Sequence, residues 1–130
     1  MSVRYDPLNA PDPAQWLALD EGMRIQLVQD YHRRARVRLP NARVHAAMHA
    51  AVENQIALGD EIPVRRTVQR LMAEGLDRHE AIHAVAMALS GIMFDITRKP
   101  QSAQSVANVD PSESYYAALE QLTAETWRQS

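Results

Sequence analysis

Apolar side chains recur along this chain at intervals of three and four residues and never in sustained alternation, so the pattern predicts helices and no strands. Ile25, Val28, His32 and Ala35, with Leu27 and Tyr31 alongside, mark a helix over 20–37, capped by Asp20 and ended by Pro40. Asn41 reads as the cap of a second helix over 41–58, with Gly59 as its left-handed stop. Pro63 opens a third over 63–74, closed by Gly75. Asp77 and Glu80 form a capping box for a fourth over 77–98, where Ile82, Val85, Ala86, Leu89, Ile92, Met93 and Ile96 share one face. Asp110, Pro111 and Glu113 repeat the cap grammar before a last helix over 111–128, which carries Tyr115, Ala118, Leu119 and Leu122. At the other end, Asp12 and Pro13 start a short turn through Trp16, Leu17 and Leu19, after a Pro-, Asp- and Asn-rich stretch read as an extended arm. The expected architecture is an all-α bundle of about four to five helices. It divides into an arm and short helix (1–19), a bundle core (20–98), a polar linker (99–110) and a C-terminal helix (111–130).

Composition narrows this further. A chain of 130 residues is one domain in size, and its two Trp, four Tyr and one Phe leave the core to Ala, Leu, Val, Ile and Met. A net charge of −2 gives no overall pull toward nucleic acid or an anionic membrane. No apolar run approaches the ~20 residues of a spanning helix, and Met1 to Asp12 lack the pattern of a signal peptide, so a cytoplasmic location is expected. There is no cysteine. Disulfides, thiolate catalysis and cysteine-based zinc sites drop out together, and a metal site must be built from imidazole and carboxylate.

The histidines supply such a set. His45 and His49 are four residues apart on the helix over 41–58, with Glu53 four further on; His79 and His83 are four apart on the helix over 77–98. Such a pair places two imidazoles on one helical face about 6 Å apart, within reach of one ion. Counting at about 1.5 Å per residue up one helix and back along 63–74 brings the start of 77–98 level with His45 and His49. The expectation is therefore an up-down-up arrangement in which 41–58 and 77–98 run parallel. On the first of these, His45 falls inside the apolar stripe of Val44, Met48, Val52 and Ile56, with His49 and Glu53 at its margin; His79 and His83 flank the other stripe near Ala86 and Phe94. The plainer alternative has these histidines hydrogen-bonded to Glu53, Gln55 and each other. His32, on the inner stripe of its helix, is read as a core histidine, with a fifth-ligand or outer-sphere role as the alternative.

Which metal chemistry fits follows from the ligand types. His79-Glu80-x-x-His83 matches the short metallopeptidase signature, but Glu80 already serves a helix cap, lies opposite the apolar stripe, and no strand is expected to hold a substrate. A di-iron centre needs about four carboxylates, whereas this chain offers Glu53 and Glu80. A mononuclear site of His45, His49, His79 and His83, with Glu53 as ligand or outer-sphere base, fits better, with zinc first and iron(II) or nickel behind. Water as one ligand would open hydrolytic or hydration chemistry; four imidazoles would make the site structural. No catalytic residue is named by the sequence.

The pattern Asn41-x3-His45-x3-His49-x3-Glu53-x-Gln55, followed by Arg78-His79-x3-His83, resembles the small bacterial family known as domain of unknown function 1841. The resemblance covers about 38–98 and leaves 100–130 outside. It implies an all-helical bacterial protein and brings no established reaction. The family carries an acidic residue immediately before the last histidine, where this chain has Ile82, its Glu standing at 80 instead.

Two further features have plainer readings. The basic run His32-Arg33-Arg34-Ala35-Arg36-Val37-Arg38 could touch phosphate, but its arginines point several ways around a helix end where positive charge is favoured anyway. The helices about Gly75 are spaced like a helix-turn-helix, yet Arg78, His79, Glu80 and His83 make a poor reading surface. Nucleic acid is not the expected partner. The C-terminal helix is too apolar to stand free; it docks on its own bundle or, in the alternative reading, on a second copy or a protein partner, which would make this a metal-free interaction module.

Overall fold

The computed structural model describes residues 4–36, 41–98 and 111–129, and every regular element among them is helical. The helices are α1 (Pro13–Ala18), α2 (Glu21–Arg34), α3 (Ala42–Ala57), α4 (Val64–Ala73), α5 (Arg78–Arg98), α6 (Pro111–Gln121) and α7 (Ala124–Gln129), with a 3-10 turn at Gly59–Glu61. The expected Pro40 stop and the linker over 99–110 lie outside the described residues.

Local chemistry explains most boundaries. Asp12 accepts from the Gln15 amide and Asp20 from that of Met23, so each closes the exposed start of its helix. Asp77 does the same for Glu80 at the head of α5. Asn41 departs from expectation: at φ 52° it is left-handed and makes no side-chain cap, because a capping residue needs extended backbone to aim its oxygen at the helix. The expected helix over 111–128 is broken in two, since Thr123 accepts from the Thr126 amide and starts α7 afresh.

Packing forms two hydrophobic cores that share α3. One gathers Val52, Val64, Leu71, Ile82, Val85, Tyr115 and Leu119 from α3 to α6. The other gathers Tyr5, Trp16, Leu27, Val28, Ala46 and Ala50 from the opening segment, α1, α2 and α3. The C-terminal helices are spent on the bundle itself: Leu119 and Ala124 are buried, Tyr115 Oη donates to Gln55 at 2.7 Å, and Arg70 donates to the Leu119 carbonyl. Leu119→Ala is expected to cost on the order of 2–5 kcal/mol. Chemical denaturation checks this, and unchanged stability would mean that α6 is not held as described.

Two expectations about the bundle are corrected. First, α3 and α5 run antiparallel. Moving back along α3 from Glu53 through His49 and His45 to Asn41, the α5 neighbours advance from Arg78 through His79 and His83 to Ser90. The chain returns through α4, whose Arg65, Val68 and Gln69 share a surface with Ile56 near the end of α3 and Arg78 at the start of α5, so α5 begins beside the end of α3. Second, the buried face of α3 is rotated from the apolar stripe. Val44 is 61% exposed, whereas His49 and Glu53 are buried at 0% and 1%. His49 and Glu53 share this face with the buried Ala46, Ala50 and Val52.

Candidate metal centre

Three helices converge on one group of imidazoles. α2 delivers His32, α3 delivers His45 and His49, and α5 delivers His79 and His83. One ring nitrogen from each of His32, His49, His79 and His83 falls within 4.8 Å of the others. An ion bound at 2.0–2.1 Å would sit about 3.2 Å from each ring centre, which for a tetrahedral set means centres about 5 Å apart. The six centre-to-centre distances in this group run from 4.1 to 5.8 Å. The rings are arranged around a common point.

His45 stands at the edge. Its ring centre is 4.8 Å from that of His83 and 5.3 Å from that of His32, and its Nε2 is 3.2 Å from His83 Nε2. His32 Nε2 and His79 Nε2 are 3.4 Å apart. Of these two separations the second, within the group of four, matches the edge of about 3.3–3.4 Å expected between nitrogens on a tetrahedral zinc ion. Both suit N–H···N bonds between neutral rings, so distances alone do not choose. Burial adds a second observation: among the described residues, Nδ1 of His32 and Nδ1 of His49 are buried with no hydrogen-bond partner, and in His49 it is the other ring nitrogen that meets Tyr5. An unpaired buried nitrogen costs about 1–3 kcal/mol and calls for an explanation.

The electrostatics keep the rings neutral. Burial first, then the neighbouring imidazoles, pushes the pKa of His32 down to about 4 and that of His83 to about 3. Burial lowers His45, His49 and His79 as well. At neutral pH the cluster therefore presents lone pairs rather than charge, which is the state a metal requires.

Glu53 does not face these rings directly. It forms a two-pronged ion pair with Arg78 at 2.8 Å on each oxygen, and Arg78 also donates to the Pro7 carbonyl at 2.9 Å. Tyr5 Oη links the two systems, donating to Glu53 and lying 2.7 Å from His49 Nε2. Glu80 is exposed, as its capping role implies. A cleft of about 220 Å3, lined by Asn41, Val44, His45, Met48, His83 and Ala86 among others, brings His45 and His83 to the surface. A larger one, about 590 Å3, lies along the opening segment and α1, and of the residues just described it touches only Tyr5.

Sequence reasoning placed His32 second to the other four histidines, noted Arg78 only as part of the family pattern and a reading surface, and overlooked Tyr5. An inward position for His32 was readable from its stripe on α2. Tyr5 gave no periodic signal; the available hint was an aromatic and Pro7 in an otherwise polar stretch, both of which prove to be buried. No curated protein and no solved structure matches the chain. The family model described as "Domain of unknown function (DUF1841)" matches residues 18–126, extending beyond 38–98 on both sides, and the chain belongs to this family.

Proposed function

We propose that the protein binds one divalent transition metal ion in the histidine cluster, with His32, His49, His79 and His83 as the ligand set and His45 at the rim facing the cleft. The observation that carries this reading is the approach of four imidazole nitrogens from three helices to within 4.8 Å of one another. Among the described residues, Nδ1 of His49 is buried without a hydrogen-bond partner while its Nε2 meets Tyr5, which leaves that nitrogen open to a ligand. An all-nitrogen, cysteine-free set favours zinc, with iron(II) or nickel next. Glu53, committed to Arg78 and Tyr5, acts from outside the ligand set. An ion here is reached from solvent through the cleft at His45 and His83. Four imidazoles complete a tetrahedral zinc ion, so this ligand set reads as a structural site.

Elemental analysis of untagged protein, with a zinc titration followed by thermal melting, tests the reading. The expected result is about one equivalent of metal and a Tm that rises with free zinc, since an ion held only by the folded state stabilises it by mass action. His49→Ala and His83→Ala should each abolish uptake. Less than about a tenth of an equivalent, with no shift on adding zinc, would remove the proposal.

A further inference from the structure

The opening segment, ahead of the first helix, reaches into the centre of the molecule. Tyr5 is only 3% exposed, and its hydroxyl sits between His49 Nε2 and the Glu53 carboxylate. The segment is held there at two carbonyls: Arg78 donates to that of Pro7 at 2.9 Å and Arg34 to that of Tyr5 at 3.2 Å.

Counting protons fixes the direction of each bond. A phenol has one hydrogen, and here it goes to the carboxylate, which can only accept. Arg78 donates to both oxygens of that carboxylate, which keeps it an acceptor toward the phenol. The contact at 2.7 Å between Tyr5 Oη and His49 Nε2 must then be donated by the imidazole. His49 is thereby the tautomer protonated on Nε2. Its Nδ1, buried and without a hydrogen-bond partner among the described residues, carries the free lone pair.

We propose that Tyr5 is a positioning residue which commits His49 to bind the metal through Nδ1, with Glu53 and Arg78 holding the phenol in place. The proposal rests on the metal reading above. Metal-bound histidines commonly donate their other ring N–H to a carboxylate or carbonyl, which sets both tautomer and ring orientation. Here a phenol stands between imidazole and carboxylate, and the guanidinium of Arg78 closes the chain. The contacts around the other rings differ: His32, His45, His79 and His83 meet through their Nε2 atoms. Among the described residues, His49 is thus the one ligand whose coordinating nitrogen is selected by a residue from outside the helices.

The test uses the full chain with zinc alone. In 15N-labelled wild type, long-range 1H–15N spectra of the zinc-loaded protein should show His49 metallated on Nδ1 and protonated on Nε2. Tyr5→Phe removes only the hydroxyl; zinc affinity is expected to fall about 10- to 100-fold, and the His49 pattern should shift toward a mixture of tautomers. Unchanged affinity with an unchanged His49 pattern in Tyr5→Phe would overturn the proposal while leaving the metal site intact. Wild type that takes up no zinc would overturn the site and this role together. If Tyr5→Phe does not fold, the wild-type spectrum decides alone: zinc on Nε2 of His49 sinks the proposal, and zinc on Nδ1 sustains it.

Discussion

Arg78→Met is expected to destabilise the fold by on the order of 3–5 kcal/mol, because it strands a carboxylate in the interior. Glu53 is 1% exposed and Arg78 6%. Both guanidinium contacts to Glu53 go in one step, leaving the carboxylate, among the described residues, with the Tyr5 hydroxyl alone. The Pro7 carbonyl loses its partner too, so the opening segment loosens where it covers the cluster. At this chain length such a loss corresponds to a Tm lower by more than about 10 °C. The pairwise origin is checked with Glu53→Gln in the same background: removing the orphaned charge should recover a large share of the loss. Were Arg78→Met to cost less than about 1 kcal/mol, the ion pair would be solvated and the interior placement wrong.

The second large effect is acid sensitivity of the metal-free protein. Each cluster histidine has a lower pKa folded than unfolded, His32 at about 4 and His83 at about 3, from burial first and neighbouring rings after it. Between those values and the unfolded value of about 6.5, the unfolded chain binds more protons than the folded one, so stability rises with pH across that window. The contribution is complete above about pH 7 and is lost progressively as pH falls below about 6.5. In chelator, Tm should be level from neutral pH upward and fall steeply between about pH 6.5 and 5, before most carboxylates titrate. Total loss by about pH 4 is on the order of a few kcal/mol. Zinc should hold Tm up until protons displace it, which makes the loaded transition later and sharper. A Tm that stays flat in chelator over this range would contradict the shared burial of the rings.

The extent to which the sequence could be read follows from the range over which each signal acts. Helix positions depend on caps and on spacing within a turn or two, and Asp12, Asp20 and Asp77 announced theirs. The pairs His45–His49 and His79–His83 were visible for the same reason. Relative direction is not local. Residue counting assumed that α4 carries the chain back along α3, whereas α5 starts beside the end of α3, and the expected parallel pair became antiparallel. The inner face of α3 was misjudged because apolarity nominated Val44, while His49 and Glu53 are held inside by Tyr5 and Arg78. Nothing within one turn of Glu53 foretells a guanidinium 25 residues away. Tyr5 lies in a segment without periodicity, and only the folded chain relates it to a residue 44 positions on.

The imidazoles also occupy a seam. α2 belongs to one apolar core and α5 to the other, and α3 is the shared wall between them. A cation gripped by rings from all three would staple the two halves, so that neither could melt without releasing it. Loading and cooperative folding would then be a single event, and metal supply would govern how much of the chain behaves as one unit.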